Sequence, residues 1–543
     1  MREINYIIRS KAVFDSVGDE PLPKAILIEG SEIKAMLPYD YAEKKEYEKY
    51  KDCPLYDYGA KLVMPSFIDA HTHIFTGAIT ASDYVCSDLG KCRSEEECVE
   101  MITCFAKEHK DLKRIRGTGW FIGNWICDEL PDKRSLDAAL PDIPVYLQCA
   151  DGHSFWLNSK ALEEAKVVPD PSLSNGIIGT FPNGELNGML IEPAACEPAM
   201  EKYMDFTDEE MWEIHKNFQR VLAENGVSGL SEMFAEDYTP DIYHKYELLK
   251  KLDEEEGLAA QVYVYTKLFG YTQFERFFEM RDHFDSAHFH IAGLKGFIDG
   301  VTETYTGLLL EPYTDKPETC GEGLPLWPME KMQQEIIAAN RAGIQVRLHC
   351  IADGSVKMAL DMYEKAEECC EDQDIRNTVE HIENIRPEDM ERFAELGVIP
   401  SMQPYHVTLS NGDKIVRLGE ERVKYEWPIR SILEKGGQIA IGTDYPVVGL
   451  NPFMTIYAAV TRNNDEGVPI SHNPWEALTM AETLKAYTIG AARVYHAEKE
   501  SGTLEPGKKA NIIVLSQNLF EIEEALIEHT KVEKNYFEGR EII

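Results

Sequence analysis

The sequence predicts an α/β fold: a distorted (β/α)8 TIM barrel with an inserted α+β subdomain, plus a small β-sandwich built from both termini. Three observations predict it. From Val63 to Asp444, strand-like apolar runs alternate with amphipathic helical stretches, the pattern of a closed parallel barrel. Titratable residues recur at the C-terminal ends of those runs, where barrel enzymes keep their chemistry. Both ends of the chain instead carry hairpin signals, at Glu29-Gly30 and Glu538-Gly539.

Residues 3 to about 63 read as β. INYIIRSKAVF supplies one or two strands and KAILIEGSEIKAML a hairpin. At the far end GKKANIIVLS is a strand and VEKNYFEGREII a hairpin. Neither end buries a sheet comfortably alone. Residues 1–63 and 500–543 should therefore pair, with the rest of the chain inserted between them.

The barrel should occupy 64–81 and 207–499. Its strands are MPSFIDAHTH (64–73), GVSGLSEMF (226–234), QVYVYTKL (261–268) and GLKGFIDG (293–300). They continue with GIQVRLHC (343–350), RNTVEHI (376–382), GVIPSMQP (397–404) and GQIAIGTD (437–444). Amphipathic stretches at 329–343, 354–368 and 387–397 fill gaps between them. His349 and His381 lie about one β-α-β repeat apart, and His381 and Asp444 about two. The gap after the first strand is too long for one helix and holds strand-like runs of its own, GWFIGNWI, IPVYLQCA and ELNGMLIE. Residues 82–206 are therefore read as the inserted α+β subdomain. The wide spacing before His349 is filled by TETYTGLLLEPYTDKPETCGEG, the position of a site-covering loop.

A chain of 543 residues can bury a large core and more than one structural unit. A hydrophobic share of 44% and a charged share of 28% suit a soluble folded protein. No apolar run reaches membrane-spanning length. MREINYIIRSKAVFD has internal charges and no uninterrupted apolar core, so it does not read as a signal peptide. The net charge of −40 argues against a nucleic-acid or anionic-membrane partner. Runs such as LDEEEGL and EECCEDQD read as solvated faces. Twelve cysteines with no C-x-x-C and no export signal read as reduced thiols, hence a cytoplasmic protein. Cys86, Cys92, Cys98 and Cys104 fall six apart, and on a helix that spacing turns each off the previous face. No shared stripe or zinc site is expected there.

The chemistry centres on VMPSFIDAHTHIF. On a strand, His71 and His73 point the same way and can grip one metal ion. Alone this signal is weak, and His288 and His290 in AHFHIAG repeat it. The other strand ends strengthen it: Lys295 on the fourth, His349 on the fifth, His381 on the sixth and Asp444 on the eighth. Together they point to a metal-dependent hydrolase. A divalent ion held by imidazoles lowers the pKa of bound water to about 7 and polarises a carbonyl. A carboxylate beside that water, Asp444, can take its proton and pass it to a leaving amine. Lys295 fits as a neutral amine that adds carbon dioxide, giving a carbamate able to bridge two ions. The alternative is a plain lysine that binds substrate.

With these stand GWFIGNWICDELP, CADGHSFWLNSKAL, NGELNGMLIE, LKGFIDG, QVRLHCIADGSV, VEHIENI, SMQPYHV, IAIGTDYPVVGLNPF, AYTIGAARV and GTLEPGKKANIIVL. The whole set resembles the amidohydrolase superfamily, in particular amidohydrolase family 3. This is the YtcJ-like branch that includes N-substituted formamide deformylase. The resemblance covers nearly the full length and implies a distorted barrel with a terminal β-sandwich. It implies metal ligation by His71, His73, His349 and His381, Lys295 as the candidate carboxylated bridge, and Asp444 as general base and metal ligand. The implied cofactor is a divalent metal, Zn2+ by preference, as one ion or two, with N6-carboxylysine at Lys295 in the second case.

His153 in ADGHS and His406 in QPYH are candidates to line the pocket and hold the substrate carbonyl or an oxyanion. Asp299 is a candidate to orient a metal ligand from behind, and Asp69 reads as structural. Trp120, Trp125 and Trp156 are either an apolar pocket wall or the core of the inserted subdomain. The expected function is cleavage of an amide or other non-peptide C–N bond of a small molecule. One rival is a hydrolytic deaminase or a cyclic-amide or lactone hydrolase on the same scaffold; a bridging Lys295 argues against the deaminase. The other is a non-catalytic regulatory or binding protein on an inherited barrel, against which the filled ligand positions argue. Family habit suggests a homodimer.

Overall fold

Eight parallel strands form one sheet of the computed structural model. They are Phe67–Ile68, Val227–Met233, Gln261–Lys267, Phe289–Phe297, Gln345–Cys350, Thr378–His381, Ile399–Met402 and Ala440–Ile441, each paired with the next in chain order. Seven fall inside the runs read from the sequence; the fourth overlaps its run, 293–300, but begins four residues earlier, at Phe289. The structure describes residues 5–543 except 123–124, 127–128, 151, 153, 171–172, 174–175, 234–240, 269–273, 322–324, 326, 371–373, 410–413, 465–466 and 470–472.

The first and eighth barrel strands are the shortest, at two residues each. Closure relies on bonds beyond their ends. Ala70 N donates to Ile441 O at 3.0 Å, Asp444 N to His71 O at 2.7 Å and His73 N to Tyr445 O at 2.8 Å. The second strand is buried at every position, as a strand covered on both faces must be. The helix Met329–Arg341 buries Met332, Ile336, Ala339 and Asn340, one stripe at helical spacing. Asp353–Glu367 is a second such helix. The stretch 387–397 is a 3-10 turn, Pro387–Asp389, followed by the short helix Arg392–Glu395.

The two termini share one rolled eight-stranded sheet. Its order is Arg540–Glu541, Val532–Phe537, Ile512–Leu515, Leu62–Pro65, Asn5–Val13, Leu22–Glu29 and Glu32–Pro38, with Leu55–Asp57 also paired to Asn5–Val13. The ends of the chain meet where Ile512–Leu515 runs antiparallel to Leu62–Pro65. The roll is held by Ile33 N to Lys508 O and Gly507 N to Ile33 O, both 2.8 Å. It encloses Tyr6, Ile8, Ile26, Ile28, Val63, Ile512, Val514 and Tyr536. Phe537 and Arg540 are cross-strand partners, and the two residues between them, Glu538 and Gly539, are both left-handed, as a type I′ hairpin turn requires.

A six-stranded sheet lies in the segment between the first two barrel strands. Its order is Ile177–Thr180, Leu186–Ile191, Ser154–Leu157, Val145–Cys149, Ile115–Trp120 and Val85–Cys86. The strand read in GWFIGNWI lies earlier, ending at Trp120: Gly119 is left-handed and the register shifts beside it. Trp120, Trp125 and Trp156 pack together in this unit's core, with ring centroids 5.8–6.3 Å apart. Cys86, Cys92 and Cys98 share that core. The helical rotation argument does not separate them, because of the three only Cys98 is on a helix. No disulfide joins any two of the eleven described cysteines. One compact unit comprises Met1–Ile74, Gln219–Glu236 and Lys250–Ile543; the other comprises Phe75–Phe218 and Asp237–Leu249. Among the described residues no helix is long and apolar enough to cross a membrane.

The second H-x-H lies at the start of the fourth barrel strand, away from the strand ends that carry the other candidates. His288 Nδ1 is 2.6 Å from Asp253 Oδ1 and its Nε2 3.8 Å from Glu538 Oε2. Burial would lower this imidazole, but the two carboxylates outweigh it and push it up to about 9. Asp253 is correspondingly held at about 2, against burial, by His288 and Ser286. A raised imidazole stabilises the fold fully below its unfolded value of about 6.5, and that contribution is lost as pH rises through 9. His288→Gln should therefore lower stability by roughly 1–2 kcal/mol near pH 6. In urea titrations the deficit should shrink between pH 6.5 and 9; a pH-independent deficit would refute the ion-pair account.

Candidate metal centre

The site is built where strand eight crosses strand one. The buried Asp69 carboxylate ties them. Its Oδ1 accepts from His71 N at 3.1 Å and Thr443 N at 2.9 Å, and its Oδ2 from Thr443 Oγ1 at 2.7 Å. Burial raises this carboxyl to about 7 even so. The approach is close: a Cβ on Gly442 would lie 2.5 Å from His71 N and 2.9 Å from His71 Cβ. Asp444 follows two residues later with φ 61°, a left-handed step costing roughly 1–3 kcal/mol for a non-glycine residue. Its Oδ1 is then 3.0 Å from His73 Nε2 and 3.5 Å from His71 Nε2.

Strands four to six bring the remaining groups. Parallel register pairs Lys295 with Arg347, and His349 with Glu380. Glu380 thus shares a side with His349, and strict alternation would send His381 to the opposite one. His381 has φ 74° and Ile382 φ 56°, which breaks the alternation. The His381 ring lies 4.4 Å from that of His349 and 4.8 Å from that of His71. His381 Nδ1 is 2.9 Å from Gln403 Oε1 and 3.9 Å from Asp444 Oδ2. His349 Nε2 is turned to Gly300 O at 3.2 Å. Lys295 Nζ is buried and has no hydrogen-bond partner among the described residues.

His406 is buried, with Nε2 3.2 Å from Thr443 O and 3.9 Å from Asp444 Oδ2. Among the described residues Asp299 bonds backbone amides rather than an imidazole. Its Oδ1 accepts from Ile351 N, and its Oδ2 from Ala352 N and Leu308 N, at 2.9–3.1 Å. It fixes the backbone just after His349. His153 lies outside the described residues.

Burial sets the charge states. It lowers His71 to about 4 and His349 to about 3, with Lys295 adding to both. His381 is held well below the usual range by burial and by its neighbours His349 and His71, and burial lowers His406. His73 goes the other way, because Asp444 outweighs its burial. Burial brings the Lys295 ammonium down to about 8. Burial would raise Asp444, but His71, His73 and His381 hold it well below the carboxylate range. The result is neutral imidazoles at His71, His349, His381 and His406 around an ionised carboxylate, with His73 the exception that this carboxylate pushes toward its charged form.

This donor set suits a divalent cation. One ligand atom from each of His71, His73 and Asp444 lies within 4.8 Å of the others, and the same holds for His381, His406 and Asp444. The two groups share Asp444. His71 Nδ1 is engaged 2.6 Å from Glu380 Oε2, the outward bond that orients many metal-bound imidazoles.

Glu380, Arg347, Gln403 and Glu232 were not singled out from the sequence. Arg347 Nε bonds Glu380 Oε1 at 2.7 Å. Glu232, buried on strand two, acts on His73 electrostatically. Arg347 had a signal: it lies two residues before His349, hence one layer deeper on the same side, and a charge there needs a buried partner.

A family model described as the amidohydrolase family matches residues 56–543. Protein LONG AFTER FAR-RED 3 of Arabidopsis thaliana is 30% identical over 478 residues, covering 84% of this chain and 78% of that protein. N-substituted formamide deformylase of Arthrobacter pascens is 23% identical over 517 residues, covering 90% and 89%. The crystal structure of a metal-dependent hydrolase from Pyrococcus horikoshii OT3 aligns with a TM-score of 0.76 at 25% identity, covering 95% of this chain and 99% of that one.

The crossing at Gly442 makes a sharp prediction. Gly442→Ala should destabilise the protein by roughly 1–3 kcal/mol, the usual cost of overpacking. It should also weaken Zn2+ uptake, because the new methyl meets the His71 backbone rather than a flexible side-chain tip. Thermal melts and chelator competition check both, and wild-type values in both would refute the crossing.

Proposed function

The chain belongs to the amidohydrolase family, and we propose that it is a metal-dependent amidohydrolase cleaving an amide or other non-peptide C–N bond of a small molecule. The observation that carries this reading is the placement of ionised Asp444 against His71 and His73, with Oδ1 3.5 and 3.0 Å from their Nε2 atoms. His71, His73, His349, His381 and Asp444 are the residues assigned to hold the cation, most simply Zn2+. When bound, such an ion supplies hydroxide at neutral pH and polarises the scissile carbonyl. Asp444 takes the proton of the attacking water and hands it to the leaving amine. His406 and His153 are assigned to the substrate carbonyl oxygen. Likeness to N-substituted formamide deformylase makes N-substituted formamides the first class to try. The lack of a disulfide among the described cysteines supports a reducing, cytoplasmic setting.

Lys295 is assigned the bridge between two ions. Its buried amine, brought down to about 8, adds carbon dioxide: the N–C bond forms, the nitrogen releases one proton, and an anionic carbamate results. The buried, unbonded Nζ supports this assignment.

Two measurements test the reading. On protein grown with zinc and bicarbonate, elemental mass spectrometry should find about two ions per chain, falling to about one in Lys295→Ala. Folded protein that takes up no metal would overturn the proposal, and equal stoichiometry in the variant would remove the bridge. Asp444→Asn should retain metal while turnover on an amide and formamide panel drops roughly 10²–10⁴-fold. Undiminished turnover would remove Asp444 from the proton path.

A further inference from the structure

We propose that Arg347 is a positioning residue for the metal centre: acting through Glu380, it fixes the ring of His71 and the nitrogen that ring presents. The inference rests on the metal-centre reading above. Arg347 and Glu380 are both fully buried. Arg347 Nε donates to Glu380 Oε1 at 2.7 Å, and the other carboxylate oxygen, Oε2, is 2.6 Å from His71 Nδ1. A second guanidinium nitrogen of Arg347 donates to Ala70 O at 2.6 Å. One cation therefore holds the His71 ring through a carboxylate and the His71 backbone through the preceding carbonyl.

The guanidinium itself is immobilised. It lies over the Tyr265 ring at 4.5 Å and faces Tyr495 at 5.9 Å. Tyr495 in turn donates its hydroxyl to Asp69 O at 2.7 Å. The guanidinium is thus fixed to the same strand that carries His71.

The chemistry follows from donor and acceptor roles. A carboxylate paired with Arg347 can only accept. His71 Nδ1 must then carry the hydrogen, and Nε2 presents its lone pair toward His73 and Asp444. Without the guanidinium, Glu380 loses the bond to Oε1 that holds its orientation, and either imidazole tautomer becomes available.

A purely structural role explains the pair poorly. Barrel interiors are normally filled by branched apolar side chains, and a buried ion pair often adds no stability over apolar residues of similar volume. This one also places Arg347 level with Lys295 on the adjoining strand, so two basic side chains share one layer.

The test is a double-mutant cycle of Arg347→Met and Glu380→Met, read by Zn2+ affinity in chelator competition and by the melting temperature of the metal-free protein. Removing Arg347 alone strands a buried carboxylate, so this variant should melt lower; removing both charges should restore the melting temperature. Zn2+ affinity should fall 10–100-fold in each single variant and stay there in the double variant, since Arg347 acts on the His71 ring through Glu380. Arg347→Lys, which keeps the charge, should recover part of the affinity and guards against a poorly folding Met variant. Affinity that returns to wild type together with the melting temperature in the double variant would show the pair to be structural only. Losses that add in the double variant would show that Arg347 does not act through Glu380. Wild-type protein that binds no Zn2+ would overturn the metal centre and this inference together.

Discussion

Everything at the site depends on how close strand eight comes to strand one. Two-residue strands cannot close a barrel by their own ladder, so the closure is delegated to Asp69, whose carboxylate holds His71 N on one strand and the Thr443 backbone and hydroxyl on the other. The crossing is tight enough that Gly442 has no room for a Cβ. From this one clamp the geometry follows: Asp444 bonds back to His71 O at 2.7 Å and swings its carboxylate to the two imidazoles.

The centre is assembled against local preference. Asp444 and His381 both adopt left-handed backbone, which residues with a Cβ avoid. Lys295 is buried without a hydrogen bond to any described residue, and Glu380 and Arg347 are buried as charges. Each is unfavourable alone, and each sits within the same few layers of the barrel interior. Such clustering is the physical mark of a site whose surroundings over-determine it. Burial also performs the electrostatics, since the desolvation that holds His71 and His349 neutral keeps their nitrogens available as ligands.

Much of this was legible in the sequence, for reasons that particular residues make plain. The eight strands announce themselves through apolar runs, and the residues that close those runs lie at the strand ends or a few positions beyond them, so His71, His73, Lys295, His349, His381 and Asp444 could be singled out from pattern alone. His381 reaches the rim only through a left-handed step that alternation does not contain. Glu380 was hidden by the same step, because the regular pattern assigns one side to it and the other to its neighbour. The displaced strand in the six-stranded sheet has a comparable cause, a left-handed Gly119 that ends the ladder earlier than the apolar run does. Cys86, Cys92 and Cys98 meet in one core because three separate elements carry them, which no spacing rule on a single helix can foresee.

The two H-x-H motifs show what spacing means once strand direction is known. His71 and His73 follow a strand and face the C-terminal rim. His288 and His290 open one. Both nitrogens of His290 are engaged, by Asp285 at 2.7 Å and Gln261 at 3.0 Å, and His288 is held by Asp253 and Glu538. Identical spacing thus gives two imidazoles gathered on Asp444 at one end of the barrel and two hydrogen-bonded struts at the other. What separates them is the company each end keeps. At the rim the imidazoles meet one another around a single shared carboxylate. At the start of strand four each imidazole has acidic or amide partners of its own. A metal needs the first arrangement, because several neutral nitrogens must converge on one point. The second leaves no lone pair directed at any common position, and its work is to fasten the fourth strand to Asp253 and to the C-terminal hairpin.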